Sequence, residues 1–304
     1  MQKIAADQSL TTLLEGSSRT FALSIPLLPE PLRRQVTVAY LLFRIADTFE
    51  DETAWDTDTK LAGLTTVDAI LAAGADNEGV DQIISMVNGT QLSQPGYTTL
   101  MRAPAVVFES YKHLDETARV AIASHLRRTI SGMGEHLRRE APIATIDEVR
   151  QYCYYVAGIV GEMLTELFGI ITPAIAGDAE LRELAPRFGE ALQLVNILRD
   201  SADDAKAGRF FVPSDAQRAA LFELAEEDIA LSRRYVQRLE ALGAPAGAVA
   251  FNTLNLCLAS STIAAVRQCG PGAKVGRDAV QDLFATIVGA VDSGSSVASL
   301  AAAV

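Results

Sequence analysis

Apolar residues recur along most of this chain at intervals of three and four, which places them on one face of an α-helix. We predict a short helix over residues 1–16, two over residues 53–94, longer helices over residues 36–52, 106–140, 146–171, 181–204, 223–242 and 248–266, and a last helix from Arg277. The helix over residues 106–140 is expected to break at Gly132 and Gly134. Residues 205–219 are expected to form a loop that contains a helix start signal, SDAQ. No useful stretch alternates polar and apolar residues, so the pattern predicts a single all-α domain over residues 1–304.

A stripe of polar side chains interrupts the apolar pattern of residues 191–213. Gln193, Asn196, Asp200 and Asp204 follow one another at intervals of three, four and four, so a helix places them on one face. The flanking positions are mostly apolar, which indicates that this helix is packed. Carboxylates on a packed helix cost free energy unless they are paired or bind a cation. The stripe therefore predicts a cation site that a second acidic helix completes.

Residues 36–52 carry a matching stripe. Tyr40, Arg44, Asp47 and Asp51 are spaced by four, three and four. Together the two stripes offer oxygen ligands and no His or Cys, a set that suits Mg²⁺ or Mn²⁺ better than zinc. Mg²⁺ held by carboxylates usually completes its shell with water and substrate phosphates. The alternative is that these carboxylates are solvated surface or helix-end charges, but two stripes on apolar helices favour a diphosphate site.

Three segments of the chain resemble the signature blocks of the squalene/phytoene synthase family. They read SSRTFALSIPLLPEPLRRQVTVAYLLFRIADTFEDE, YCYYVAGIVGEM and NILRDSADDAKAGRFFVP, and they occur in the family's order between Ser17 and Pro213. A weaker match covers Lys274–Arg277. The resemblance implies a single-domain helical bundle of the isoprenoid-synthase type with a central apolar cavity.

The resemblance also implies roles for individual residues. It assigns the metal ligands, for two or three Mg²⁺ ions with Mn²⁺ as an alternative, to Asp47, Asp51, Asn196, Asp200 and Asp204. It assigns catalytic roles to Tyr40, Arg44 and Tyr152. It assigns substrate binding to Ser18, Arg19, Thr20, Phe21, Arg44, Val156, Gly161, Gln193, Asn196, Arg199, Arg209, Lys274 and Arg277.

Several of these residues also have a purely structural interpretation. Arg44 and Arg199 would serve nearly as well as ion-pair partners of nearby aspartates. The hydroxyls of Ser18 and Thr20 would cap a helix. Gly161 lies among small residues that close helix packing alone could explain. The sequence leaves these alternatives open.

The family resemblance implies the head-to-head condensation of two prenyl diphosphates. The forms ADTFEDE and Phe211 in GRFFVP resemble the squalene synthase branch, which joins two farnesyl diphosphates through presqualene diphosphate and uses NADPH. Lys274 and Arg277 would then meet a phosphate or the nicotinamide cofactor, or be ordinary charges at a helix start. The alternatives are a phytoene synthase that joins two geranylgeranyl diphosphates without NADPH, a terpene cyclase-like enzyme that acts on one prenyl diphosphate, and a non-catalytic helical scaffold.

The composition of the chain limits its possible binding partners and indicates its cellular compartment. A chain of 304 residues with 49% hydrophobic residues can bury a large core, and a formal charge of −12 argues against nucleic acid as a partner. Three cysteines without paired spacing indicate a reducing, cytoplasmic setting. The N-terminus has no apolar signal region and no run is expected to reach the length of a membrane span. Peripheral membrane contact and the oligomeric state stay open.

Overall fold

The computed structural model describes residues 2–74, 77–212 and 214–301, so Pro213 at the end of the third block lies outside the described residues. Within these ranges the chain forms helices joined by turns and contains no strand. The predicted all-α class is confirmed. Two compact units are present, one built from residues up to Pro26 and from Glu30–Arg139, the other from Leu27–Pro29 and residues from Glu140 onward. The single domain over residues 1–304 stays a prediction.

The first unit contains eight α-helices among its described residues. They are α1 (Gln2–Ser17), α2 (Arg19–Ser24), α3 (Leu32–Asp51), α4 (Thr57–Ala72), α5 (Asn77–Val87), α6 (Pro95–Arg102), α7 (Pro104–Lys112) and α8 (Glu116–Leu137). Its central helix is α3, whose apolar residues Leu41, Ile45 and Phe49 are fully buried. This burial fixes the rotation of α3 and leaves its polar stripe half-buried.

The second unit also contains eight α-helices in the part of the chain that is described. They are α9 (Ile146–Cys153), α10 (Ile159–Ile171), α11 (Pro173–Ala176), α12 (Ala179–Lys206), α13 (Asp215–Ala241), α14 (Ala246–Cys269), α15 (Arg277–Ser293) and α16 (Ala298–Ala301). A π-helical turn, Tyr154–Gly158, joins α9 to α10. The core is formed largely by α14, in which the residues from Ala248 to Ser260 are buried.

Glycines allow α12 to touch the π turn and α10 backbone to backbone. A Cβ atom on Gly161 would lie 2.0 Å from the carbonyl oxygen of Ala185, and one on Gly189 would lie 1.9 Å from that of Ala157. Neither contact leaves room for a side chain, because real Cβ atoms do not approach so closely. Close helix packing is therefore what the structure shows for Gly161, the structural alternative that the sequence left open.

Two predicted helix boundaries were wrong. The break expected at Gly132 and Gly134 is absent, and the chain instead leaves the helix between α7 and α8, at residues 113–115. Glycine costs a helix only about 1 kcal/mol, which the packing of these two buried glycines outweighs. The loop expected to reach residue 219 ends earlier, because the Ser214 side chain accepts a hydrogen bond from the Gln217 backbone N–H and so starts α13.

Two helical stretches among the described residues are long and apolar enough to span a membrane, so the expectation that no run reaches this length was also wrong. They are Ile146–Ile171 and Ala246–Cys269. Within their most apolar windows, 44% and 78% of the residues are buried in the fold. The second value is typical of the core helix of a globular protein.

Candidate active site

The stripe of α3 is organised around Arg44. Its guanidinium pairs with the carboxylate of Asp47, one turn further along the helix. The Tyr40 hydroxyl accepts hydrogen bonds from Nε and Nη2 of Arg44, both at 3.3 Å, and donates one to the backbone oxygen of Ser17 at 3.1 Å. These bonds hold the three polar side chains in one connected row and tie the row to the end of α1.

Tyr97 on α6 joins this row, although no pattern in the sequence pointed to it. The Arg44 guanidinium lies over the rings of Tyr97 and Tyr40, at 5.2 Å and 5.5 Å from their centroids. Burial lowers the pKa of Arg44, but Asp47, Tyr40 and Tyr97 outweigh this effect and raise it above its ordinary value. Burial raises the pKa of Tyr97. Arg44 is therefore a permanent cation, held between an acid and two aromatic rings.

The predicted substrate block at residues 18–21 begins α2. The Ser18 hydroxyl oxygen accepts a hydrogen bond from the Phe21 backbone N–H at 3.0 Å, so Ser18 caps this helix. The Phe21 ring lies 5.2 Å from that of Tyr40, and Arg19 and Thr20 are exposed. Helix capping is thus observed for Ser18, and Phe21 contacts the α3 stripe. A role in binding substrate stays a prediction for all four residues.

The stripe of α12 is half-buried along its whole length, at Gln193, Asn196, Asp200 and Asp204. Two of its carboxylates have arginine partners. Arg199 donates to both oxygens of Asp200, from Nε at 2.7 Å and from Nη2 at 2.5 Å.

Arg209 reaches the other carboxylate from the loop after α12. Its Nε and Nη2 donate to Oδ1 of Asp204 at 3.2 Å and 2.7 Å, and its backbone N–H donates to the Asp204 carbonyl at 2.8 Å. The chain can turn back here because Gly208 adopts a positive φ of 78°. The ion-pair interpretation is therefore observed for Arg44 and Arg199, and it extends to Arg209.

The basic segment at residues 274–277 borders the same helix. The backbone N–H of Gly272 donates to the carbonyl of Arg199 at 2.7 Å and anchors the loop before α15 to α12. Lys206, and more weakly Lys274, lower the pKa of Asp203. Lys274 is thus brought beside the acidic part of α12, whereas Arg277 is exposed at the start of α15.

The predicted catalytic tyrosine packs against the loop that carries Arg209. The ring of Tyr152 stacks on Phe211 with centroids 4.7 Å apart, and both residues are buried. Val156 lies half-buried in the π turn that follows. The second unit therefore connects Tyr152, through Phe211 and Arg209, to the carboxylate of Asp204.

The oxygen donors of the two stripes suit a Mg²⁺ ion whose remaining coordination positions are filled by phosphate oxygens. Each stripe offers two carboxylates, and Asn196 adds an amide oxygen; these are the hard ligands that Mg²⁺ prefers. Within the described residues no group of three or more His, Cys, Asp or Glu side chains could hold a metal ion by itself. A substrate that supplies phosphate oxygens would complete such a shell. That both stripes face one cavity stays a prediction.

Known proteins are similar to this chain in sequence and in fold. The profile of the squalene/phytoene synthase family matches residues 14–277. Squalene synthase LSS of Botryococcus braunii is 32% identical over 209 residues, covering 67% of this chain and 42% of its own. Squalene synthase of Rattus norvegicus is 29% identical over 221 residues, covering 71% and 49%. Squalene synthase 1 of Arabidopsis thaliana is 32% identical over 198 residues, covering 64% and 43%. The chain thus spans less than half the length of these relatives.

Solved structures agree in fold. The structure of TcSQS with the ligand E5700 matches with a TM-score of 0.74 and 24% sequence identity, over 91% of this chain and 84% of the other. A second TcSQS complex, with BPH1237, gives a TM-score of 0.74 at 23% identity. These matches confirm the predicted helical fold.

Proposed function

Because the chain belongs to the squalene/phytoene synthase family, we propose that it joins two prenyl diphosphates head to head. We further propose that both substrates are farnesyl diphosphate and that the product is squalene, formed through presqualene diphosphate. The relatives described above are named squalene synthases, which supports the choice of branch.

One observation carries the proposal. Each of two packed helices presents half-buried carboxylates in a single row, and at least one aspartate of each row is paired with an arginine. Carboxylates alone would suit a cation, and arginines alone would suit an anion. The presence of both carboxylates and arginines suits a ligand in which divalent cations and a diphosphate bind together.

Two sets of residues would promote the ionisation of a prenyl diphosphate, one by binding Mg²⁺ and the other by binding the diphosphate. Asp47, Asp51, Asn196, Asp200 and Asp204 would hold Mg²⁺, which when bound neutralises the charge that develops on departing diphosphate. Arg44, Arg199 and Arg209 would donate hydrogen bonds to diphosphate oxygens. Arg44 is suited to this task because its raised pKa keeps it charged at any working pH.

The proposed reaction proceeds in two stages. The C1–O bond of one farnesyl diphosphate breaks, diphosphate leaves, and the double bond of the second substrate attacks the resulting allylic cation. Loss of a proton closes a cyclopropane ring and gives presqualene diphosphate. Its C–O bond breaks in turn, the second diphosphate leaves, and the carbon skeleton rearranges. NADPH, for which Lys274 and Arg277 are the candidate contacts, would when bound supply the hydride that quenches the final cation and would leave as NADP⁺.

Tyr152 is our candidate for the group beside the departing diphosphate. Its hydroxyl would donate a hydrogen bond to the leaving group or steer the proton lost on ring closure. Burial of its ring against Phe211 limits the positions that this hydroxyl can take. Apolar residues around the cation would keep water from it.

A product assay tests the proposal. The protein is incubated with Mg²⁺ and either farnesyl or geranylgeranyl diphosphate, with and without NADPH, and the extracted lipids are identified by mass spectrometry. We expect squalene from farnesyl diphosphate with NADPH, and presqualene diphosphate without it. Phytoene from geranylgeranyl diphosphate alone, unaffected by NADPH, would identify a phytoene synthase. A product from one prenyl unit would identify a cyclase, and no Mg²⁺-dependent release of diphosphate would indicate a non-catalytic scaffold.

A further inference from the structure

Two arginines of the second unit form ion pairs with carboxylates that are predicted to bind metal. Arg199 forms a two-pronged contact with Asp200, and Arg209 directs two N–H groups at one oxygen of Asp204. All four residues in these two contacts are half-buried. Arg199 is half-buried on α12 itself, and the Arg209 backbone is hydrogen-bonded to Asp204.

These contacts compete directly with a metal ion. A divalent cation needs the same carboxylate lone pairs that the guanidinium groups now use, and it is repelled by their positive charge. Binding of the cation would therefore require the arginines to move away. Each needs a new partner, because a half-buried guanidinium that loses its hydrogen bonds is costly. The oxygens of a diphosphate accept the same forked pair of hydrogen bonds as a carboxylate.

We propose that Arg199 and Arg209 are exchangeable counter-ions. They hold Asp200 and Asp204 until metal and diphosphate arrive together, and they then transfer to the diphosphate while the carboxylates take the metal. The proposal rests on the proposed function, since it takes Asp200 and Asp204 as metal ligands. It implies that metal alone binds weakly and that metal and diphosphate strengthen each other's binding.

The first unit contains the same kind of contact. Arg44 pairs with Asp47, a member of the other predicted metal set. The rings of Tyr40 and Tyr97 lie against this guanidinium and would hold it near the carboxylate after exchange. Asp47, Asp200 and Asp204 of the predicted metal-binding set thus each have an arginine partner, contributed in turn by α3, α12 and the loop after α12.

Lys206 provides a matched control for Arg209. It pairs with Asp203 at 2.8 Å, and both side chains are largely exposed, at 76% and 79%. Lys206→Gln removes the same unit of charge from the same end of α12 as Arg209→Gln. Only Arg209→Gln frees a carboxylate of the predicted metal set. The comparison separates an exchange at Asp204 from a general effect of net charge.

The test measures Mn²⁺ bound by the full chain in equilibrium dialysis, with and without inorganic pyrophosphate, and with protein-free chambers to correct for Mn²⁺–pyrophosphate complexes. An exposed or half-exposed ion pair contributes at most about 1 kcal/mol, so we expect Arg209→Gln to bind Mn²⁺ alone up to about fivefold more tightly. The extra Mn²⁺ affinity that pyrophosphate provides should shrink in Arg209→Gln. Lys206→Gln should change either quantity by less than about twofold.

Two results would overturn the exchange: Arg209→Gln binding Mn²⁺ alone no more tightly than the parent protein, or Lys206→Gln showing the same gain. Circular dichroism confirms that both variants are folded, and Arg199→Gln repeats the measurement at Asp200. If the parent protein forms prenyl products while Arg209→Gln gains no affinity, the exchange is wrong and the function stands. If the affinities change as expected but no prenyl product forms, the counter-ion role stands and the proposed function fails.

Discussion

The ring of Tyr152 lies 4.7 Å from the ring of Phe211, with the two planes inclined by 27°. Tyr152 lies in the last turn of α9, whereas Phe211 belongs to the loop that carries Arg209. The stack therefore joins the predicted catalytic tyrosine to the segment that contacts Asp204. A substitution in this loop should therefore alter the position of the Tyr152 hydroxyl.

We predict that Phe211→Leu lowers kcat on farnesyl diphosphate. The stacked pair contributes about 0.5–1.5 kcal/mol beyond its buried area, which corresponds to a loss of about two- to tenfold if the tyrosine is held less firmly. Phe211→Tyr keeps an aromatic ring and should retain most of the activity. Phe210→Leu is the control, since Phe210 is 55% exposed. Equal losses in Phe210→Leu and Phe211→Leu would contradict the role of the stack.

We predict that Asp200→Ala abolishes product formation without unfolding the protein. Loss of a group that stabilises developing charge usually costs about a hundredfold or more in rate, and a half-buried carboxylate contributes little to the core. We expect the same result, loss of product without unfolding, for Asp47→Ala in the first unit. Steady-state kinetics and far-UV circular dichroism measure the two effects.

The matched control is Asp203→Ala, in the same helix but exposed and paired with Lys206. This variant should keep activity within about threefold of the parent, because its carboxylate lies outside the stripe. Loss of helix content in both Asp47→Ala and Asp200→Ala would mean that the two carboxylates are structural.

We predict opposite effects on stability from two glycine-to-alanine changes. In Gly161→Ala the new Cβ would lie 2.0 Å from the Ala185 carbonyl oxygen, so α10 and α12 must separate and the free energy of unfolding should fall by about 1–3 kcal/mol. In Gly289→Ala the new Cβ has no atom within 4 Å apart from its chain neighbours and the nearby backbone of its own helix. The change should therefore raise the free energy of unfolding by up to about 1 kcal/mol through helix propensity. Urea unfolding measures both changes, and a stabilised Gly161→Ala would disprove the close contact.

We predict that stability depends on pH through Asp228, a fully buried acid on α13 that pairs with Arg187. Burial, opposed by Arg187 and reinforced by Glu190 and Glu227, raises the pKa of Asp228 to about 7. The folded protein then binds more protons than the unfolded chain between about pH 4 and pH 7. The contribution of Asp228 to the free energy of unfolding should therefore be largest below this window and should fall as the pH rises through it.

Asp228→Asn tests this origin of the pH dependence. Urea unfolding of the parent and of the variant is compared at several pH values, with the exposed Asp278→Asn as the control. The Asn variant should show a flatter profile, since it has no proton to lose. An unchanged slope in Asp228→Asn would assign the pH dependence to other groups.

Local periodicity predicted most of the helices and both polar stripes. The spacing of Asp47 from Arg44 and the adjacency of Arg199 and Asp200 even identified ion pairs as an alternative, and the structure shows them. Such relations lie within one helix, where sequence distance fixes spatial distance. For the same reason the Ser18 cap could be read from the sequence.

The relations that the sequence missed depend on contacts between distant segments. Tyr97 reaches Arg44 because α6 crosses α1 where Gly96 meets Gly16, so closely that a Cβ on Gly96 would lie 1.7 Å from the Gly16 carbonyl oxygen. No interval along the chain encodes this crossing. The start of α13 was predicted too late, at residue 223, although the SDAQ start signal was visible in the sequence. The Ser214 side chain of that signal caps the helix, which begins at Asp215.

The π turn between α9 and α10 has a consequence for insertions and deletions. A π turn holds one residue more than an α turn, and each residue of an α-helix advances by about 100°. Deleting one residue within Tyr154–Gly158 would give an unbroken α-helix of ordinary geometry. Yet it would turn Tyr152 by about 100° relative to Gly161, away from its present neighbour Phe211. The number of residues in this segment therefore sets the direction in which Tyr152 projects.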